Sequence, residues 1–212
     1  MKFLRDNWFR LGVIVFAALS YYMIFWGCDQ LSPIQKILMA SLMVLPIHQY
    51  EEYVFSGGGP VVINRGFYGE QTLYRQYPGN WNSIMIVNLS AYIFYILALV
   101  FPQAIWLGIA TMLFNLFQLL GHAPEMNIKL KTWYNPGLLT AVFGLLPISL
   151  WYFSQVWEQH LYSWGDVGLA IVWIGFNYWL AFRSLIYKKL GKLSDRYGFT
   201  DAEVSRGKRY MK

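Results

Sequence analysis

What this sequence has little of narrows its class first. Charged residues make up only 13% of the 212 positions while 57% are hydrophobic, too few charges to clothe a soluble fold of this size. Lipid is the solvent that such a balance implies. A single cysteine, Cys28, excludes an internal disulfide, a paired-cysteine metal knuckle and a dithiol redox motif, and it reads as a small apolar filler. The first apolar run is as long as a membrane span and lacks a small-residue cleavage site, so it is expected to stay as a helix. The net charge of +6 has a topological explanation, given below, and no nucleic-acid partner is expected.

Long apolar stretches are what the sequence has instead. Six of them, roughly 9–27, 33–55, 82–101, 102–122, 137–157 and 166–187, reach the ~20 residues that a bilayer core takes as helix. The expected fold is therefore all-α: a polytopic membrane protein with a six-helix transmembrane bundle over 1–187 and a basic tail over 188–212. Pro33, Pro102 and Pro136 fall at or just before span starts, where a missing N–H costs least. Pro46 and Pro147 are interior and predict kinks. Trp8, Trp26, Trp81, Trp106, Trp151 and Trp164 sit near span ends, at headgroup level.

Sixteen of the 17 lysines and arginines lie before the first span, in the second and fourth loops, or in the tail from Arg183 onward. Only Lys36 lies near the other side. By the positive-inside rule both termini are expected in the cytoplasm, which requires an even number of spans. The second loop, 56–81, opens with Ser56-Gly57-Gly58-Gly59-Pro60 and continues with many aromatic residues. It is too apolar for a solvated linker and reads as a re-entrant or interfacial lid over the cytoplasmic mouth. In the tail, Thr200 and Glu203 stand at capping-box spacing, predicting a short helix on an anionic lipid surface.

Chemistry concentrates at the end of the second span, His48-Gln49-Tyr50-Glu51-Glu52. Residues three and four apart are helix neighbours, so His48 can share a face with Glu51 and with Glu52, although the two carboxylates diverge by about 100° around the axis. In the fourth span Thr111, Asn115, Gln118 and His122 form one polar stripe, which must face protein or water. The topology brings His122 level with His48, Glu51 and Glu52. Asn88, Asn115, Gln118, Thr140 and Asn177 are expected to line a cavity around these four, since polar groups inside membrane helices mark functional sites. Glu125 and Asn135 in the fourth loop are further candidates to cap it, and His160 is on the opposite side.

The His48-Gln49-Tyr50-Glu51-Glu52 run resembles the motif that names the HXXEE family, small bacterial membrane proteins of unknown function. His122 and the Tyr134-Asn135-Pro136-Gly137 turn also look like that family's pattern, and by arrangement the likeness spans most of residues 35–180. The resemblance implies a bacterial inner membrane and an important site, with no reaction named. His48-x-x-x-Glu52 with Asn177-Tyr178-Trp179 is also similar to sterol isomerases of the emopamil-binding type, whose membrane cavity uses His, Glu and Asn for proton transfer. The chain departs from them in lacking a mid-membrane glutamate in its third span.

Three functions are open at this point. The leading one is a membrane enzyme whose His48, His122 and one of Glu51 or Glu52 hold a divalent metal, the other carboxylate serving as base. The set, which leaves a position for water, has the arrangement of catalytic zinc sites, and iron or manganese would also suit it. An apolar cavity would suit a lipid or other apolar substrate and its hydrolysis. The second is metal-free acid–base isomerisation of an isoprenoid or sterol-like lipid. The third is a lipid or small-molecule carrier, against which stands the lack of an internal repeat.

Overall fold

The computed structural model describes residues 2–186, 189 and 197–211. In chain order its helices are α1 (Lys2–Gln30), α2 (Pro33–Tyr53), the short α3 (Gly59–Val62), α4 (Trp81–Val100), α5 (Ile105–Leu130), α6 (Leu138–Glu158), α7 (Trp164–Tyr178) and α8 (Asp201–Lys208). No strand occurs among the described residues.

Four of these helices, α1, α4, α5 and α6, are long and apolar enough to cross a membrane, where six were expected. The two that fall short have different reasons. α2 has the length, but Lys36, His48, Gln49, Glu51 and Glu52 lower its hydropathy. α7 continues directly into the π turn Trp179–Arg183, and its length is seen only as far as the described residues reach. The end of the expected sixth stretch, at 187, and the tail from 188 to 196 lie outside the described residues except for Lys189.

Side chains set the helix starts. Ser32 caps α2 in a reciprocal box with Gln35, ahead of Pro33, and Asn80 accepts from the Asn82 and Ser83 amides at the start of α4. Ser163 and Asp166 do the same for α7. These are polar partners for the amides that a first turn leaves unpaired. Within α5 and α6 the ladder widens into π turns at Gly121–Met126 and Ala141–Leu145. Pro124 lies inside the first and Pro147 follows the second by two residues; proline removes one ladder bond and crowds the carbonyl a turn earlier, and a wider turn relieves both.

The helices alternate in direction. At one end Trp8, Phe9, Tyr53, Ile84 and the tail residues Phe199 and Val204 pack together. At the other, Ile34, Ile37, Ala98, Ile105, Tyr152 and Ala170 do. The beginning of α1, the end of α2, the beginning of α4 and the tail therefore share one end of the bundle. Outward-facing residues such as Ile93, Phe143, Ile171 and Val172 are exposed. Helices in lipid gain little from burying apolar surface, so small polar stitches matter more. The Tyr95 hydroxyl donates to Asn115 Oδ1, and Asn115 Nδ2 donates to Ser41 Oγ at 2.9 Å, joining α4, α5 and α2. Nearer the first end, Tyr92 donates to Gln49 Oε1, Gln49 Nε2 to Asn88 Oδ1, and Asn88 Nδ2 to the Tyr53 hydroxyl.

The loop between α2 and α4 folds back on the bundle. Asn64 pins it, donating from Nδ2 to the carbonyls of Tyr74 and Gly79 while its Oδ1 accepts from the Gly79 amide at 2.9 Å. Pro60, Val61 and Val62 are buried, and α8 rests on α3. The expected capping box of α8 forms only by half. Thr200 Oγ1 accepts from the Glu203 amide, but the Glu203 carboxylate accepts from the Gly58 amide at 2.7 Å. Burial raises this carboxyl above its ordinary pKa, with the Gly58 amide and Arg206 opposing. The tail helix thus lies on protein, with Val204 and Gly207 buried, where a lipid-lying helix was expected.

Candidate metal and catalytic site

His48 and Glu52 stand one turn apart on the same face of α2, and His122 meets them from the π turn of α5. His122 Nε2 is 3.3 Å from Glu52 Oε1, and His48 Nε2 is 3.9 Å from the same oxygen. The imidazoles lie edge to face with centroids 5.1 Å apart. All three side chains are buried, and one ligand atom from each lies within 4.8 Å of the others.

The outward nitrogens of both rings are fixed. Asn135 Nδ2 donates to the His122 carbonyl and to Asn127 Oδ1, each at 2.7 Å. Asn135 Oδ1 is therefore the acceptor for His122 Nδ1–H at 2.7 Å. Thr140 donates its hydroxyl to Glu51 Oε2 at 2.6 Å, so toward His48 Nδ1 at 2.8 Å it can only accept. Both rings thus carry the proton on Nδ1 and direct an Nε2 lone pair toward Glu52. Such outer hydrogen bonds orient metal-binding histidines. His48 Nε2 is buried without a hydrogen-bond partner among the described residues, an orphaned acceptor that a cation would satisfy. Zinc ligands ~2.0–2.1 Å from their ion stand roughly 3.4 Å apart in a tetrahedron, close to the 3.3 Å His122–Glu52 separation and shorter than the 3.9 Å between His48 and Glu52, which a bound ion would draw in. The residues fit a divalent metal held by His48, His122 and Glu52.

Glu51 has a different place. Its carboxylate accepts from the Leu139 and Thr140 amides at 3.1 and 2.8 Å, from the Thr140 hydroxyl, and from the Tyr134 hydroxyl at 2.9 Å. Glu51 caps α6 from another helix, supplying the acceptor that Gly137, at the N-cap position, cannot. The two adjacent acids therefore divide, Glu52 to the imidazoles and Glu51 to the scaffold. Burial, with the Glu51 charge adding, pushes the Tyr134 phenol up to about 12 against the opposing Ser56 bond, so this phenol remains a donor at neutral pH. Ser56 bonds to its oxygen at 2.9 Å.

A cavity of about 360 Å³ opens beside Glu52 and His122, with Gln118, Asn177 and Glu125 also on its wall and the rest mostly apolar. A smaller one of about 80 Å³ lies on another side of Glu52, lined by Asn88, Asn64, Tyr53 and Gln118. Of the expected lining residues, Gln118 and Asn177 face the larger space and Asn88 the smaller. Asn115 lines neither, because Tyr95 and Ser41 hold it, and Thr140 acts through His48 and Glu51. Sequence reasoning placed Tyr134, Asn135 and Gly137 in a loop that caps the cavity, with Asn135 a candidate, but gave Tyr134 and Gly137 no role of their own. The Tyr134-Asn135-Pro136-Gly137 run carried the signal: a turn of restricted residues just ahead of a helix.

Fold and site together define an all-helical protein, apolar enough in four helices for a membrane, whose buried His/Glu cluster opens on an apolar cavity. Residues 39–152, more than half of the chain, match the family described as protein of unknown function with HXXEE motif, and the chain belongs to that family. His48, Glu51 and Glu52 are the His and Glu of that motif. No curated protein and no solved structure matches the chain.

Proposed function

We propose that this chain is a membrane-embedded, metal-dependent enzyme that hydrolyses a lipid or other apolar substrate, with His48, His122 and Glu52 as the metal ligands. The observation that carries the reading is the pair of Nε2 lone pairs turned on one buried carboxylate beside an apolar cavity. A metal so held supplies a Lewis acid and lowers the pKa of a coordinated water toward ~7. The protein's own part is to hold the imidazole tautomers through Asn135 and Thr140, to anchor α6 through Glu51, and to exclude bulk water. The test is metal content of protein purified in detergent, together with loss and restoration of lipid hydrolysis on chelation and zinc return. Protein that binds no divalent metal would favour the second reading, metal-free acid–base isomerisation, which the 3.3 Å His122–Glu52 pair supports.

In the same reading α2 and α7 also cross the membrane, and both termini are cytoplasmic. A helix that packs against α1, α4 and α6, as α2 does, can carry polar groups that protein partners satisfy instead of lipid, so hydropathy undercounts it. The distribution of lysine and arginine supports the orientation. Cys28, exposed at the end away from the site, is expected to react with a membrane-impermeant maleimide added outside intact cells, while a reporter after Lys212 is active inside. Labelling of Cys28 only in inverted vesicles would reverse the orientation and move the site to the opposite compartment.

A further inference from the structure

The shape of the larger cavity says what kind of molecule the site takes. Its wall follows α5 from Phe114 to Met126, about 18 Å at ~1.5 Å per residue. The ionisable groups Glu52, His122 and Glu125 lie toward one end of that length. At the other end stand Phe94 and Phe114, packed edge to face with centroids 5.3 Å apart. From His122 to Phe114 is about 12 Å along the helix. At the ~30 Å³ that one water occupies in the liquid, 360 Å³ takes at least about a dozen non-hydrogen atoms, enough for one chain.

The cavity also has a side entrance. α4 and α7 both pack against α5, yet among the described residues they make no extended contact with each other. Phe117 and Leu120, on the strip of α5 between them, are 46% and 54% exposed although they line the cavity. In a membrane that opening faces acyl chains. Gly121 belongs to the same wall, and a Cβ added there meets nothing within 4 Å. With its backbone in the ordinary right-handed helical region, the glycine is not required by strain or by a close neighbour; it leaves space in the cavity.

We propose that the site takes a single-chain amphiphile from the bilayer, which enters between α4 and α7, sets its polar end at Glu52 and His122, and meets a length limit at Phe94 and Phe114. This rests on the proposed site only for the role of the polar end; the chain's place and length follow from the cavity. Gly121 keeps the channel open beside His122, and the two phenylalanines act as a ruler, since an apolar chain that overruns them must displace a packed ring pair.

The test uses the full chain in liposomes with alkyl glycerol monoethers that carry a terminal diazirine, in a series from about 8 to about 16 carbons that brackets the estimated capacity. Photolabelling is read by peptide mass spectrometry. The expected result is labelling of Phe94 and Phe114 that peaks at chains of about ten carbons, and a Gly121→Trp variant labelled there roughly tenfold less. Phe94→Ala should move the peak to longer chains. Labels confined to outward residues such as Ile93 and Ile96 at every length, or a Gly121→Trp variant labelled like the parent, would overturn the proposal. The probe is not hydrolysed and needs no metal, so its failure leaves the metal-site reading standing. Conversely, a chelator-treated protein that labels normally keeps this inference even if metal binding fails.

Discussion

Replacing His48 or His122 by alanine, or Glu52 by glutamine, is expected to weaken zinc binding by roughly a hundredfold or more in each case, and to abolish hydrolysis. The magnitude follows from the outer hydrogen bonds, whose loss at metal sites costs about 10- to 100-fold; a ligand should cost at least as much. Combining two of the variants should cost little more than one, because members of a site that acts as a unit do not contribute additively. Glu51→Gln should behave differently. Glutamine keeps one accepting oxygen but turns its NH2 on either the Leu139 or the Thr140 amide, which now donate to different oxygens of Glu51, so α6 loosens and His48 loses its fixed orientation through Thr140. Metal should still bind, about 10- to 100-fold more weakly. Competition against a chromogenic chelator measures all of these on purified protein. Single variants that retain parental affinity, or losses that simply add, would refute the shared site.

The second large effect is expected at Gly137. Its φ of +102° lies where side chains are rare, and a Cβ built there would run into the His122 imidazole. Gly137→Ala combines ~1–3 kcal/mol of backbone strain with displacement of a proposed ligand. Gly69 is the control: its φ is +70°, and a Cβ there meets nothing within 4 Å, so Gly69→Ala carries the strain alone. Both variants should lower the thermal midpoint, but only Gly137→Ala should lower zinc affinity, by tenfold or more on the scale of outer-contact losses. Equal zinc affinity in the two would show that the glycine serves the turn and not the ring.

Much of this was legible in the sequence because it is local. The i, i+4 relation of His48 and Glu52 needs only the helical repeat, and the Thr111–His122 stripe needs only one helix and the demand that polar groups avoid lipid. Other features depend on partners distant in the chain. That Glu51 caps α6, 89 residues from Thr140, could not be read from adjacency to Glu52, and the pair looked equivalent until α6 was placed. Asn115 belongs to the stripe but is claimed by Tyr95 and Ser41, a choice set by helix packing. Thr200 and Glu203 had the spacing of a capping box, yet the Gly58 amide outcompeted the local partner for the carboxylate. Of the two apolar stretches that did not qualify, α2 falls short because it carries the site itself, and His48, Gln49, Glu51 and Glu52 lower its hydropathy.

The cap that α2 lends to α6 also bears on the order in which the protein is built. The first turn of α6 has no capping side chain of its own, so its leading amides find their charged acceptor only once the end of α2 is beside them. α2 leaves the ribosome long before α6, and waits with Glu51 and Glu52 still lacking the partners that α5 and α6 bring. Assembly of the half of the chain that follows then does two things at once: it completes a helix start and turns the His48 ring. His48, Glu52 and His122 all precede α6, so a chain ending before α6 would carry the three side chains but lack the Thr140 hydroxyl that orients His48.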